Sequence, residues 1–571
     1  MDRKQGSIGT NYGDPKEYEV AIVGAGLAGL QCAHTLVKKY GVDPNALIIL
    51  EAQDYIGGRV KQTTDFVPGC KIDLGAEFIH GDNSMLNEFA REHGEPLEEL
   101  FCWAHGDGGP SEAPVGDGYG LYYIKGDPAG GKPDRLLRFD DKDRDFKSLN
   151  RNLWDLILLD EASVDENLSL LDYLREFNTS DDMLSLAAAG FANTMCSTLE
   201  ELSLKQCVRW AHEEHYDKIH SSGDGSEKFS VLQGKRRAGS ISDKIGHSDY
   251  RFKKSYSALV DYLKSEVKIL CNTPIARIDY DDEKEGENIV MYTTFPGVVF
   301  KAKKVVITCS PHVLSSPSLL KFDPPLPSEK LKALESVSMY TASKIILTFS
   351  SRFYPKGLHG MIMAGTVVPE VWFKETIPKH SSCSNDDTSV ESVSVGSNSD
   401  SGSETSEAIY IAVGFLSARF AEEAHAKYNE NELIQKLLEE LDVVFSNFKA
   451  EHLTAKIDLP ESDQRGDNAT DENTTIFKEV SSQRRVLPLR PSSVFVKGMV
   501  YDWAKNHPYI GGAYASPKAG KNIEYTNVLA SPIADRLFFA GEATNNDAGA
   551  CTHSAMETGV RVAEEIMSAL K

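Results

Sequence analysis

The sequence predicts an α/β protein in two parts. One is a Rossmann-type unit assembled from discontinuous segments of the chain; the other is an α+β unit with a mixed sheet and helices. Three observations predict this. Tyr18-Glu19-Val20-Ala21-Ile22-Val23 is apolar and β-branched enough for a buried parallel strand. Gly24-Ala25-Gly26-Leu27-Ala28-Gly29 follows at once and opens a helical pattern. Dense apolar strands then recur mid-chain, at 304–308, and near the end, at 536–544, which suits their return to the same sheet.

The opening motif reads residue by residue. Gly24 permits a tight turn, Gly26 lets a pyrophosphate approach the backbone, and Gly29 lets the helix sit close on the strand. The helix N-terminus offers free N–H groups and the positive end of its dipole to phosphates. Ala46-Leu47-Ile48-Ile49-Leu50 is the next strand, and Glu51 ends it. An acid about 20 residues past the last glycine suits the ribose hydroxyls. Strand, glycines, helix, strand and acid in that order predict a dinucleotide site. This stretch does not choose between FAD and NAD.

The bulk numbers bound the rest. A chain of 571 residues is too long for one core, so two or more domains are expected. The formal net charge is −24, from 61 basic and 85 acidic residues. That argues against nucleic acid and anionic membranes as partners, and permits attraction of cationic ligands. Nine cysteines show no CxxC or paired spacing, so neither a disulfide framework nor a metal site is expected. No signal-peptide core, no run of 18 apolar residues and no Ser-Lys-Leu terminus is present, which predicts a cytoplasmic protein.

Residues 1–17 read as a disordered tail. After Glu51, Gly57-Gly58-Arg59 suits a second approach to the pyrophosphate, with Arg59 as counter-charge. In Ile72-Asp73-Leu74-Gly75-Ala76-Glu77-Phe78-Ile79-His80-Gly81, two glycines bracket an apolar stretch, so backbone passes close to something flat and His80 faces a pocket. Residues 148–215 are mostly helical, with Ser169 opening one helix; Glu213, Glu214 and His215 read as a solvated face. A helix at 256–263 precedes strands at 267–270, 275–280, 289–294, 298–300 and 304–308. Residues 338–349 form a strand of the second unit, with Lys344 among apolar neighbours. Residues 380–406 are a disordered polar insertion, 429–447 a helix and 461–475 a polar loop. Trp503 leads to His507-Pro508-Tyr509-Ile510-Gly511-Gly512-Ala513-Tyr514. The strand at 536–544 ends in Gly541-Glu542, and Thr552 opens a last helix whose N–H groups can meet a ligand oxygen. The expected boundaries are 18–100, 248–325 and 507–571 for the nucleotide unit, and 101–247 with 326–506 for the substrate unit.

Taken together, these stretches resemble the flavin-dependent amine oxidases, the superfamily of monoamine, polyamine and some L-amino-acid oxidases and the lysine-specific histone demethylases. The resemblance covers most of residues 18–571 outside the polar insertions. It implies FAD as the cofactor, contacted by Gly24, Gly26, Gly29, Glu51, Gly58, Arg59, Gly75, Ala76, Ile275, Trp503, Gly541, Glu542 and Thr552. It implies that Lys344 holds a water near flavin N5, that Tyr514 is one wall of an aromatic cage, and that His80 is the pocket histidine of polyamine oxidases. The implied reaction is hydride removal from the amine-bearing carbon to N5, imine hydrolysis, and reduction of O₂ to H₂O₂.

The chain departs from the family pattern in several places. The second cage wall falls at Met556, Tyr340 stands where a glycine is usual, and Ser255 precedes Tyr256 where a glycine is usual. The acidic pocket residue of polyamine oxidases has no clear counterpart in the helical region. Lys505-Asn506-His507 carries no cysteine, which implies non-covalent FAD. The leading expectation is a polyamine oxidase whose partners are a small amine and O₂. An L-amino-acid or monoamine oxidase is the alternative, a demethylase-like or non-catalytic chromatin-binding relative is a further one, and Lys344 with Tyr514 argues against a desaturase-type flavoprotein.

Overall fold

The computed structural model describes residues 17–80, 84–100, 119–138, 141–214, 249–264, 266–280, 288–377, 408–447, 490–521, 524–545 and 550–570. The expected tail (except Glu17), the insertion at 380–406, the loop at 461–475 and His215 lie outside them.

The first sheet has eight strands. Glu17–Val23 lies between Leu47–Leu50 and Val299–Ile307 and runs parallel to both. Lys268–Leu270 extends the Leu47 side, also in parallel. All of Leu47–Leu50 is buried, as a strand covered on both faces must be. Val299–Ile307 is one continuous strand, where the sequence reading had two short ones. Its first half alternates Phe300 and Ala302 inward with Lys301 and Lys303 outward, so the lysines that looked like a break are the solvent face of a single strand. This strand forks the sheet. Its first half pairs antiparallel with Ile289–Thr293, and its last three residues pair in parallel with Leu537–Phe539. Start, middle and end of the chain therefore meet in one sheet.

The helix Leu27–Lys38 packs against the last helix, Thr552–Ala569. Gly559 is what lets them approach: a Cβ there would lie 2.4 Å from the Ala28 carbonyl oxygen.

The second sheet has seven strands, ordered Phe495–Asp502, Ala342–Phe349, Ile409–Ser417, Glu370–Thr376, Leu358–Ala364, Tyr119–Ile124 and Arg135–Arg138. The helix Glu430–Asn447 packs on one face through Leu437 and Leu441. The helical segments between Arg144 and Glu214 pack on the strands Tyr119–Ile124 and Leu358–Ala364 through Phe146, Leu170, Met183 and Val208. Ser169 caps its helix with a reciprocal bond to Asp172, as its position suggested.

The strand expected at 338–349 is two strands. Val337–Met339 pairs with Ala515–Pro517, and Ala342–Phe349 enters the second sheet. The break falls at Tyr340, whose carbonyl accepts the Ala513 N–H at 3.0 Å and is thereby lost to the ladder. Among the described residues, no helix is long and apolar enough to cross a membrane.

Candidate active site

A cavity of about 830 Å³ runs from the first sheet to the second. Its walls bring together Gly24, Gly26, Glu51, Gly58 and Arg59 from the opening segments, then Gly75, Ala76, His80 and Ile275. Lys344, Trp503, Tyr514, Gly541, Glu542 and Thr552 complete it from the other segments. Gly29 is the exception. It lies in the first turn of the helix Leu27–Lys38, where a Cβ would sit 2.1 Å from the Gly24 carbonyl oxygen, so it shapes the turn without facing the cavity.

The first-sheet end is a backbone cradle. Gly24 holds φ +114°, and a side chain there would meet the Thr308 hydroxyl at 2.3 Å. Gly26 and Gly58 lie against each other, so close that a Cβ on Gly58 would come 3.0 Å from the Gly26 Cα. Two helices end here without side-chain caps, one after Gly26 and one after Cys551. Their first N–H groups are what an anionic ligand satisfies. Glu51 is buried; its Oε2 accepts the Ala25 N–H at 2.6 Å and its Oε1 the Gln53 N–H at 2.8 Å. Burial raises its carboxyl above the ordinary value despite those bonds. Arg59 donates to Glu542 Oε1 at 2.7 Å and to the Ala513 carbonyl at 2.9 Å. Glu542 Oε2 is buried with no hydrogen-bond partner among the described residues. A buried carboxylate oxygen left this way fits a ligand hydroxyl. A glycine cradle, uncapped helix starts and an orphan acceptor together fit the phosphates and polyol chain of FAD.

The second-sheet end is aromatic, with Phe78, Trp372, Phe415 and Tyr514 in its walls. Lys344 is buried there; its Nζ donates to Glu77 Oε2 at 2.8 Å and to the Asp73 carbonyl at 3.2 Å, and lies 5.3 Å from the Trp372 ring centre. Burial pulls its ammonium below the ordinary lysine range, and Glu77 pulls the other way. Tyr514 donates its hydroxyl to the Thr194 carbonyl. His80 Nδ1 lies 2.8 Å from Asp249 Oδ1, and the two residues face each other across an antiparallel pair of strands. Met556 does not stand in the chamber wall. It belongs to the last helix and is buried in the core on its inner side, while its neighbour Ala555 lines the cavity. A helix turns by about 100° per residue, so of two adjacent residues one can face the cavity and the other the core.

The sequence reading passed over Glu370 and Glu77. Glu370 opens the strand Glu370–Thr376 and lines the cavity; Asn193 and Thr194 donate to its Oε2, each at 3.2 Å. Burial pushes its carboxyl up to about 7, against those two bonds. An acid directly before the apolar run Val371-Trp372-Phe373 was the available signal.

A glycine-cradled groove leading to an aromatic chamber with a buried lysine fits a dinucleotide-dependent oxidoreductase. The family model for flavin containing amine oxidoreductases matches residues 27–567, and the chain belongs to that family, with FAD as its cofactor. It is 25% identical to lysine-specific histone demethylase 1 homolog 2 of rice (Oryza sativa subsp. japonica), over 96% of this chain and 57% of that protein. It is 23% identical to rice polyamine oxidase 4, over 96% of this chain and 88% of that one. It thus spans little more than half the length of the demethylase. Among solved structures it resembles putrescine oxidase bound to putrescine, with a TM-score of 0.62, 18% identity and 97% and 99% of the two chains covered. Cyclohexylamine oxidase from Brevibacterium oxydans gives a TM-score of 0.63 at 16% identity, over 97% of this chain and all of that one. The fold is that of the flavin amine oxidases.

Proposed function

We propose that this flavoprotein oxidises a diamine or polyamine at a carbon beside one nitrogen while holding a second, cationic nitrogen at Glu370. The observation that carries the reading is a row across the second sheet. Phe415 pairs directly with Lys344 on one side and with Glu370 on the other. Directly paired residues share a face, and two strand spacings put their backbones about 10 Å apart. One chamber therefore holds a buried ammonium and, across an aromatic side chain, a carboxyl whose hydrogen-bond donors are neutral.

The two ends favour different protonation states of a guest amine. A free alkyl amine has a pKa near 10.4 and is mostly protonated at neutral pH. Beside Lys344, in an apolar chamber, the neutral amine with its lone pair is the favoured form. At Glu370 the ammonium is favoured, and among the described residues Asn193 and Thr194 both donate to Oε2, which leaves Oε1 for a guest. Bound FAD supplies the acceptor for the hydride, with O₂ as the final oxidant giving H₂O₂. In this reading Lys344, Tyr514 and His80 form the reacting end, and Tyr514 is the wall that orients the substrate carbon. Lys505-Asn506-His507 carries no cysteine, and in this reading FAD is held non-covalently. An amino-acid substrate needs a carboxylate clamp. Among the described residues Arg59 is the arginine that lines the cavity, and it is engaged by Glu542 at the cofactor end.

The test is anaerobic bleaching of the oxidised flavin by putrescine, spermidine, spermine and their acetylated forms, against benzylamine and L-amino acids. Glu370→Gln should raise KM for the diamines and polyamines 10- to 100-fold, about 1.4–2.7 kcal/mol, and leave benzylamine unchanged. Bleaching by monoamines or L-amino acids alone would overturn the reading.

A further inference from the structure

Glu77 is the most heavily engaged side chain in the chamber wall. Its Oε2 accepts from Lys344 Nζ at 2.8 Å and from Trp372 Nε1 at 3.0 Å, and its Oε1 from Lys374 Nζ at 2.7 Å. Arg251 Nη1 stands 3.9 Å away, itself braced by Glu98, whose Oε2 lies 2.7 Å from Arg251 Nε. A buried carboxylate is stable only with such company.

A lysine ammonium has three N–H donors. Glu77 and the Asp73 carbonyl take two of them, and the Trp372 ring covers one flank of the group. We propose that Glu77 is a positioning residue for Lys344: it pins the ammonium to the chamber wall, keeps it charged, and leaves one N–H directed to the cavity. This rests on reading Lys344 as the cation beside the flavin. Glu77 acts through the lysine and needs no contact with the substrate.

The surrounding charges support this. Burial would push the Glu77 carboxyl up, but Lys344, Lys374 and Arg251 outweigh it and hold the group well below the usual carboxylate range. Glu77 is thus a fixed anion. Lys344 feels burial and Lys374 pulling its proton off, and Glu77 and Asp73 holding it on. Arg251 stands behind Glu77, and Tyr501 faces Lys344 on the neighbouring strand. Glu77 and Lys374 therefore act on the lysine with opposite signs.

The experiment measures the midpoint potential of the FAD-loaded protein from pH 6 to 10, without substrate. A break in the pH dependence that Lys344→Met abolishes reports the lysine. Glu77→Gln should move that break down by a pH unit or more, and Lys374→Met should move it up. A side chain that only packs the wall would move neither, or both in one direction. Either result overturns the proposal, as does the lack of any break that Lys344→Met removes. If Glu77→Gln does not hold FAD, Lys374→Met decides: an upward move supports the proposal and no move overturns it. Because no amine is present, the result stands apart from the substrate reading, which the bleaching assay decides by itself.

Discussion

Arg59 and Glu542 stand 483 residues apart in sequence and 2.7 Å apart in space. The pair joins the second glycine turn to the strand end at Gly541, and the same Arg59 nitrogen bonds the carbonyl of Ala513, next to Tyr514. One guanidinium thus ties three separated segments around the cofactor groove. Arg59→Ala leaves the Glu542 carboxylate buried with the Ala515 N–H, at 3.2 Å, as its remaining donor. The expected outcome is weaker FAD retention, by about 2 kcal/mol or roughly 30-fold in the dissociation constant. Fluorescence titration of the apoprotein with FAD measures it, and unchanged affinity would show that the pair is ornamental to the groove.

Glu370 makes stability depend on pH in an unusual direction. Its carboxyl titrates at about 7 in the folded protein against an ordinary 4.5. Below pH 4.5 folded and unfolded chains both carry the proton. Between 4.5 and 7 the unfolded chain has released it and the folded protein has not, so the folded state binds more protons and stability falls as pH rises. The loss is complete above 7 and amounts to roughly 2 kcal/mol, allowing for screening by water in the cavity. Glu370→Gln keeps the acceptor for Asn193 and Thr194 and has no proton to lose. Its Tm relative to wild type should therefore be higher at pH 8 than at pH 5. A difference that stays flat across that range would sink the assignment.

What the sequence displays depends on how local the cause is. The Gly24 to Glu51 unit is legible because glycine positions, strand length and the terminal acid are set by spacing within one supersecondary unit. The Arg59–Glu542 pair is not legible as a pair, since nothing in either neighbourhood names the other. Glu77 hides for a different reason: an acid between Ala76 and Phe78 looks like a surface residue until the three cations and the Trp372 indole, brought by other strands, surround it. Met556 sits on a helix that the sequence displays, but which side of that helix meets the cavity is decided by its packing on other segments. The single strand Val299–Ile307 shows that charges in a strand need only an exposed face, not a break.

His80 and Asp249 supply the last expectation. Asp249 is buried, and its Oδ1 lies 2.8 Å from His80 Nδ1 within a directly paired position of two strands. A carboxylate has only acceptors, so Nδ1 must carry the proton in this contact, which fixes the ring's orientation and its tautomer. Asn at 249 keeps the shape but can donate as well as accept, so the tautomer is no longer dictated. If His80 takes part in turnover and Asp249 acts through it, Asp249→Asn lowers kcat/KM by about 10- to 100-fold, which is 1.4–2.7 kcal/mol of transition-state stabilisation. The effect should nearly vanish in a His80→Asn background, because the second change removes the group on which the first one acts. Steady-state kinetics of the wild type, both single variants and the double variant form the cycle. Additive losses would mean that Asp249 contributes to turnover by a route that does not pass through the histidine.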